Sequence, residues 1–301
     1  MNLLARSVRS AVAALDALAR TRLRGSVPGL LLLVGCSTST SHEPANRVEG
    51  DLTILKGTNR MVWDQTSLSR RLSAVVLEVN DPVYVKRKRY LGYWLADVFK
   101  LSGIKSERDD IWVFSARDGY QARITAAEAT ASEAKPFLAI RDMDASEGWE
   151  RIQQGKERLS PGPFYLVWQL RPGVAQIPKL PWPYQLAEIR IRNIGEAQEK
   201  LFPKTADHAE SVTRGFEVFQ RNCLACHSLN LEGGVLGPEL NIPKNILEYR
   251  ERKQLKKFVA NPSSFRAGSK MPAFGDSLSS EAVDDLFDYL AWMGKHKCQP
   301  N

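Results

Sequence analysis

The chain has 301 residues, which is enough for two domains, and its 43% hydrophobic and 25% charged content is typical of a folded protein. Residues 1–35 contain five arginines and one aspartate, so they account for half of the formal charge of +8 and leave +4 for the rest. Such a small excess does not favour binding to nucleic acid.

The start of the chain has the organisation of an export signal. Residues 1–24 are rich in arginine and alanine, and the apolar run at 27–34 is well below the ~20 residues that span a bilayer. The run ends in Leu33-Val34-Gly35-Cys36, and a serine- and threonine-rich segment follows. This arrangement resembles the lipobox of a bacterial lipoprotein. The alternative is a plain secretory peptide that happens to precede a cysteine.

That resemblance implies that residues 1–35 are a signal peptide, that Cys36 carries a lipid, and that residues 36–50 form a flexible tether. The mature protein is then expected in the periplasm, anchored to a bacterial membrane. An aspartate directly after the lipid-bearing cysteine is associated with retention in the inner membrane. This position is occupied by Ser37, so the outer membrane is favoured.

Strand patterns dominate residues 51–195. Helical spacing of apolar residues predicts one helix over 91–101, and Thr125 with Glu128 predicts a capping box for a short second helix. The basic run at 86–89 is interpreted as a solvated loop. Short strands with few helices predict an α+β domain with a mixed sheet. The predicted strands are 74–79, 111–114, 137–140, 164–168 and 186–191.

Three phrases of this domain resemble the molybdopterin-binding fold of the sulfite oxidase family. They are Tyr93-Trp94-Leu95-Ala96-Asp97-Val98-Phe99, Arg117-Asp118-Gly119-Tyr120 and Gly162-Pro163-Phe164-Tyr165-Leu166-Val167. The resemblance implies the same fold. The family's metal-ligand cysteine has no counterpart, because no cysteine lies between Cys36 and Cys223. We therefore expect a degenerate form of the fold without molybdopterin.

Residues 196–206 are polar and predict a short linker to a second domain at 207–297. This domain is organised around Cys223-Leu224-Ala225-Cys226-His227. Two cysteines two residues apart, followed at once by histidine, indicate covalent attachment of a c-type haem, with the histidine beneath the iron. A zinc site would need more soft ligands than the chain offers nearby. A redox cysteine pair is typical of a thioredoxin-like βαβ unit, whereas this motif ends an amphipathic helix.

The residues around this motif resemble a bacterial class I cytochrome c with one haem. This resemblance implies an all-α fold and one covalent haem c, with His227 as proximal and Met271 as distal iron ligand. It also implies that the backbone carbonyl of Pro238 accepts the Nδ1–H of His227. The resemblance is carried by Gly215, Phe219, Gly237-Pro238, Lys270-Met271-Pro272 and Tyr289-Leu290.

A haem iron with both axial positions filled has no open position for a substrate, so the first hypothesis is transfer of single electrons between redox partner proteins. The amino-terminal domain is then a docking or ligand-binding module. The second hypothesis is an enzyme, in which the chain is the haem subunit or fused acceptor domain of a sulfite oxidase-like molybdenum dehydrogenase. The missing cysteine counts against the second hypothesis.

Two further expectations concern the carboxy-terminal domain. One basic segment is expected to supply the charge of a docking face. Its cations are Arg250, Arg252, Lys253, Lys256 and Lys257.

The only cysteine left unassigned is Cys298, in the tail, and we expect it to be a free thiol.

Overall fold

A computed structural model describes residues 50–131, 133–154, 157–174, 180–202 and 207–298. The predicted signal peptide, Cys36 and nearly all of the predicted tether lie outside these ranges. In the described ranges no helix combines the length and apolar composition needed to cross a bilayer.

Two antiparallel-rich sheets form the amino-terminal domain. The five-stranded sheet has the order β2-β1-β11-β5-β6, with β1 and β11 parallel, and the four-stranded sheet has the order β10-β7-β4-β3. A small hairpin joins β8 to β9. The strands are β1 (Leu52–Lys56), β2 (Asn59–Trp63), β3 (Val75–Asp81), β4 (Lys86–Trp94), β5 (Asp110–Ala116), β6 (Gln121–Thr125), β7 (Ala134–Asp142), β8 (Ile152–Gln154), β9 (Glu157–Leu159), β10 (Tyr165–Leu170) and β11 (Leu186–Asn193).

The helices are short in the amino-terminal domain and longer in the carboxy-terminal domain. They are α1 (Gln65–Ser69), α2 (Leu95–Leu101), α3 (Ala126–Ala129), α4 (Ile194–Leu201), α5 (Glu210–Asn222), α6 (Ile246–Tyr249), α7 (Arg252–Ala260) and α8 (Ser280–Met293), with a 3₁₀ turn at Pro262–Ser264. Between α5 and α6 lies a two-stranded hairpin of β12 (Ser228–Leu229) and β13 (Glu232–Gly233). A mixed α/β amino-terminal region followed by a helical region agrees with the predicted fold classes.

The core of the amino-terminal domain lies between its two sheets. Ile54 and Phe114 of the larger sheet share one buried cluster with Leu138 and Leu166 of the smaller sheet. All five predicted strands are confirmed as β3, β5, β7, β10 and β11, and the predicted capping box begins α3.

One prediction for this domain is wrong at the level of a single element. The segment predicted as one helix over 91–101 begins as the end of β4, and the helix starts only at Leu95. In β11, Ile189 and Ile191 join the core, and Leu186 joins the same cluster beside a bulge at Leu186–Glu188.

The basic run at 86–89 is a strand and not a solvated loop. Lys88 is buried, and its Nζ donates to Asp142 at 2.5 Å and to Glu150 at 2.9 Å. Its neighbours on the same strand, Lys86, Arg87 and Arg89, pair with Glu150, Glu78 and Asp144 respectively. Burying an ammonium is costly unless it is paired, so these partners explain why a charged run can form a core-facing strand.

The carboxy-terminal domain rests on the crossing of α5 and α8. A Cβ added to Gly215 would lie 1.9 Å from the carbonyl oxygen of Asp285, so only glycine permits this approach. One turn further, the rings of Phe219 and Tyr289 pack with centroids 5.5 Å apart. The sequence therefore identified the residues of this crossing correctly.

The predicted linker is partly helical. Leu201, at the end of α4, is buried in the core of the carboxy-terminal domain, and its carbonyl accepts the hydroxyl of Tyr289 at 2.6 Å. The first helix of this domain, α5, has Ala209 as its N-cap. Just before it, the carbonyl of Asp207 accepts the indole N–H of Trp292.

Candidate haem site

The cysteine–histidine motif forms a single turn at the end of α5. Cys223 is the C-cap of that helix, and its N–H donates to the carbonyl of Phe219 at 2.9 Å. The carbonyl of Cys223 then accepts the N–H of Cys226 at 3.0 Å and that of His227 at 2.8 Å. This turn holds both sulfurs and the imidazole on one short segment, and both cysteines are free thiols.

The imidazole of His227 is held by the loop that follows. Its Nδ1 lies 2.8 Å from the carbonyl oxygen of Pro238, the partner expected from the sequence. A Cβ on Gly237 would lie 2.4 Å from Cε1 of His227, so the loop can close on the ring only with glycine there. With Nδ1 donating to this carbonyl, Nε2 is the nitrogen available to a metal.

Burial shifts the pKa of each of the three groups of the motif in the direction that favours its neutral form. It lowers the pKa of His227, which favours the neutral imidazole that ligates metals. Burial raises the pKa of the Cys223 thiol to about 12. The pKa of Cys226 is also raised, first by burial and second by the charge of Asp118. Thioether bonds form between thiols and the porphyrin vinyl groups, so this donor set fits haem c.

Met271 lies on the loop between α7 and α8. It is half-buried, and its N–H donates to the hydroxyl of Ser269 at 3.3 Å. The loop is tied back to α7 because the N–H groups of Phe274 and Gly275 donate to the last carbonyls of that helix at 3.1 Å. The helix α7 ends at the residue before Asn261-Pro262, and α8 begins after an N-cap at Ser279.

The zinc alternative finds no ligand set in the part of the chain that the structure describes. No group of three or more His, Cys, Asp or Glu side chains is arranged there to hold a metal ion.

Three buried asparagines support the histidine loop, and no sequence pattern predicted them. The amide of Asn245 donates to Asn241, and the amide of Asn241 donates to Asn230, at 2.8 and 2.7 Å. Each amide also donates to a backbone carbonyl of or beside α8, such as those of Leu290 and Met293. These hydrogen bonds fix the segment after the motif to the last helix.

A buried carboxylate joins the two domains. Glu232, on the β12–β13 hairpin, is 3% exposed and pairs with Arg123 at 2.8 Å and Arg192 at 2.5 Å. Arg192 is on β11 and Arg123 is on β6, so the hairpin covers the face of the sheet opposite its core. Burial alone would raise the pKa of Glu232, but the two guanidinium charges outweigh it and lower that pKa below its ordinary value.

Burial also lowers the pKa of Arg123 below its ordinary value, against the opposing effect of Glu232. A guanidinium nevertheless remains protonated at neutral pH. The cluster is therefore one anion between two cations in a buried interface.

The amino-terminal domain also touches the haem-attachment turn itself. The N–H of Gln121 donates to the carbonyl of Ala225, inside the motif, at 2.8 Å, and the N–H of Val235 donates to the carbonyl of Gly119 at 2.9 Å. Gly119 has a φ of +92°, and a Cβ there would lie 2.8 Å from the side chain of Val235. We name residues 117–121, which join β5 to β6, the covering turn.

An open cleft of about 640 Å³ lies in the amino-terminal domain. Among the residues that the structure describes, no carboxylate lines it, and two of its lining side chains are the guanidinium groups of Arg117 and Arg141. Gly162 lies at its wall, where a Cβ would meet the indole of Trp149 at 2.2 Å. A cleft with cationic and aromatic walls is suited to an anionic ligand.

The five cations expected to form a docking face divide into two groups. Arg252 pairs with Asp284 and Asp288, and Lys256 pairs with Asp284. The other three, Arg250, Lys253 and Lys257, are exposed and have no ion pair among the described residues.

The expectation of a free thiol at Cys298 is wrong. Cys298 is disulfide-bonded and half-buried, and its N–H donates to Asn230 at 3.2 Å.

Comparison with known proteins gives two matches. A family model described as cytochrome C oxidase, cbb3-type, subunit III matches residues 210–290. The C subunit of nitric oxide reductase from Stutzerimonas stutzeri is 35% identical over 107 residues, which cover 32% of this chain and 70% of that protein.

We predict that Glu232→Gln destabilises the protein at pH 7 by about 3 kcal/mol, because it leaves two guanidinium groups in a buried interface without an anion. The matched control is Glu217→Gln, which removes an exposed pair with Arg221 and should cost at most about 1 kcal/mol. Urea denaturation followed by circular dichroism measures both.

The pH dependence of the free energy of unfolding provides a second test of the same prediction. Because the folded pKa of Glu232 is depressed, its contribution is present above the ordinary value of 4.5 and is lost as the pH falls through the folded pKa. The difference in the free energy of unfolding between wild type and Glu232→Gln should therefore become smaller in acid. A difference in this free energy that is small at pH 7, or that does not change with pH, would contradict the buried ion cluster.

Proposed function

Because the chain belongs to the c-type cytochrome family that includes the C subunit of nitric oxide reductase, we propose that it carries single electrons between redox proteins. Its cytochrome c domain implies haem c. One haem per chain is bound covalently through Cys223 and Cys226. The observation that carries this proposal is the 2.8 Å contact between Nδ1 of His227 and the carbonyl of Pro238, beside two free thiols on the same turn.

In this proposal His227 is the proximal ligand and Met271 the distal ligand of the iron. The haem supplies a metal that cycles between the ferrous and ferric states. The chain contributes two ligands that leave no open position, and the thioether favours ferrous iron relative to a second histidine. The contacts of Gly237 and Pro238 with His227 keep the imidazole in one orientation through the cycle.

A docking face for an acidic redox partner is proposed on α7 and its flanks. Arg250, Lys253 and Lys257 are exposed and have no acidic partner among the described residues. Two exposed aromatic side chains, Tyr249 and Phe265, lie on the adjoining segments. Free cations around exposed aromatic groups suit transient association that is steered by charge. The Met271 loop is hydrogen-bonded to the end of α7, so this face adjoins the proposed distal side of the haem.

The amino-terminal domain is proposed to be a docking or ligand-binding module, with a degenerate fold of the sulfite oxidase type. The cleft lined by Arg117 and Arg141 supports the ligand-binding role. The alternative is an acceptor domain of a molybdenum dehydrogenase. Soft ligands suit a pterin-bound molybdenum centre, and residues 51–195 contain no cysteine, so we propose that this domain holds no molybdopterin.

The protein is proposed to be lipid-anchored through Cys36 in the periplasm, on the outer membrane, and this requires that the thiol of Cys36 is not the partner in the disulfide of Cys298. Support comes from the short apolar run before Cys36 and from the haem motif, since c-type haem is attached outside the bacterial cytoplasm. The relative's name describes a component of a reductase, which supports a redox protein as partner.

Replacing Met271 tests the proposed iron ligand. Met271→Ala should abolish the weak near-infrared charge-transfer band of the ferric protein and lower its potential, because the thioether is removed. Met143→Ala changes an exposed methionine of the other domain and should leave both unchanged. A Met271→Ala protein with an unaltered near-infrared spectrum would remove this residue from the site.

Charge reversal tests the docking face. In the holoprotein, Lys253→Glu with Lys257→Glu should slow oxidation of the haem by anionic ferricyanide at low ionic strength, and added salt should erase the difference. The control, Arg60→Glu with Lys135→Glu, reverses two exposed cations of the amino-terminal domain. Equal slowing in both double variants would leave α7 without a special role.

Cys36→Ser tests the anchor. It should release the protein into the soluble periplasmic fraction or stall its processing, whereas Cys298→Ser should keep the lipid. Mass analysis of an unreduced digest of the native protein should find acyl chains on Cys36. A native N-terminus downstream of Cys36, or a peptide that links Cys36 to Cys298, would contradict lipid attachment.

A further inference from the structure

The covering turn places residues of the amino-terminal domain against the haem-attachment segment. Its two backbone hydrogen bonds reach Ala225, one residue before Cys226, and Val235, two residues before Gly237. A glycine at 119 lets the two backbones meet, since a Cβ there would lie 3.0 Å from the backbone of the opposite segment. The turn is therefore part of the wall around the haem-attachment segment.

Asp118 is the one carboxylate of the covering turn, and its orientation is fixed. Its Oδ1 accepts the N–H of Tyr120 at 3.0 Å, which closes a local turn and holds the carboxylate in place. Asp118 directly precedes Gly119, whose carbonyl accepts the N–H of Val235 at 2.9 Å, so the carboxylate lies one residue from the contact between the turn and the attachment segment. Next to it, Tyr120 is partly buried.

The turn cannot swing away from this position without disrupting buried contacts. Arg123 follows it directly on β6 and is held by Glu232 at 2.8 Å. Glu232 lies on the hairpin that also carries Gly233 and leads to Gly234, whose Cβ position would lie 2.1 Å from the carbonyl of Ala225. The carboxylate of Asp118 and the attachment segment are thus parts of one rigid unit.

We propose that Asp118, a residue of the amino-terminal domain, lowers the redox potential of the haem held by the carboxy-terminal domain. This rests on the proposed haem attachment at Cys223 and Cys226. The ferric centre carries one more positive charge than the ferrous centre, so a fixed anion beside the attachment segment stabilises the ferric state. Asp118 is a positioning residue that acts through its charge. Through this charge the amino-terminal domain takes part in electron transfer without holding a metal.

Neutral variants that keep the turn provide the test. Asp118→Asn keeps an oxygen acceptor for the N–H of Tyr120, and Asp118→Ser offers a hydroxyl in the same role. In the full-length holoprotein both should raise the midpoint potential. The ratio of ferrous to ferric protein at a fixed ambient potential should rise about threefold, which is about 28 mV at 59 mV per decade for one electron.

Two controls separate the charge from other effects. Asp97→Asn removes an exposed carboxylate on α2 and should leave the potential unchanged. Asp118→Glu keeps the charge and should stay near the wild-type potential. Absorption and near-infrared spectra of every variant establish that the haem and its ligands are intact.

The outcomes distinguish this inference from the proposed function. Potentials of Asp118→Asn and Asp118→Ser that equal the wild-type value, in protein with wild-type spectra, would overturn the role of Asp118 and leave electron transfer intact. Wild-type protein that matures without haem would overturn the proposed function. A rise of equal size in Asp97→Asn would show a general charge effect and would also overturn the inference.

Discussion

The arrangement of the two domains depends on one buried carboxylate. Glu232 lies between the guanidinium groups of Arg123 and Arg192, and it is supplied by the cytochrome domain while both cations come from the sheet. A buried charge is costly unless it is paired, so neither surface is stable without the other. This pairing holds the covering turn against the haem-attachment segment, and the geometry of the proposed redox site follows from it.

A fixed interface changes how the amino-terminal domain is understood. A module that only tethers or docks would be free to move, whereas backbone hydrogen bonds to Ala225 and Val235 bring it into contact with the site. One-electron transfer benefits from surroundings that do not rearrange between oxidation states. The asparagine chain on one side and the covering turn on the other provide such surroundings for His227. Partner recognition is then left to exposed surfaces, such as the free cations of α7.

Local patterns were enough to predict much of this molecule. The motif at Cys223 follows from a short sequence signal, because its three reactive side chains lie within one turn. The carbonyl of Pro238 and the crossing at Gly215 were implied by the resemblance to class I cytochromes c. The predicted helix at 91–101 was partly wrong because the apolar residues of a buried strand continue into α2 with helical spacing. Lys88 was misassigned because its partner Asp142 is 54 residues away. The same limit hid the role of Glu232, whose partners Arg123 and Arg192 belong to the other domain.

Metal content and haem attachment of one preparation test the central claim most directly. The protein should be matured in a host that makes both haem c and molybdopterin, then analysed for metals and extracted with acidified acetone. The account predicts one iron per chain, no molybdenum, and haem that stays with the polypeptide, on the peptide containing Cys223 and Cys226. Extractable haem would contradict covalent attachment, and stoichiometric molybdenum would contradict an electron carrier and restore the dehydrogenase.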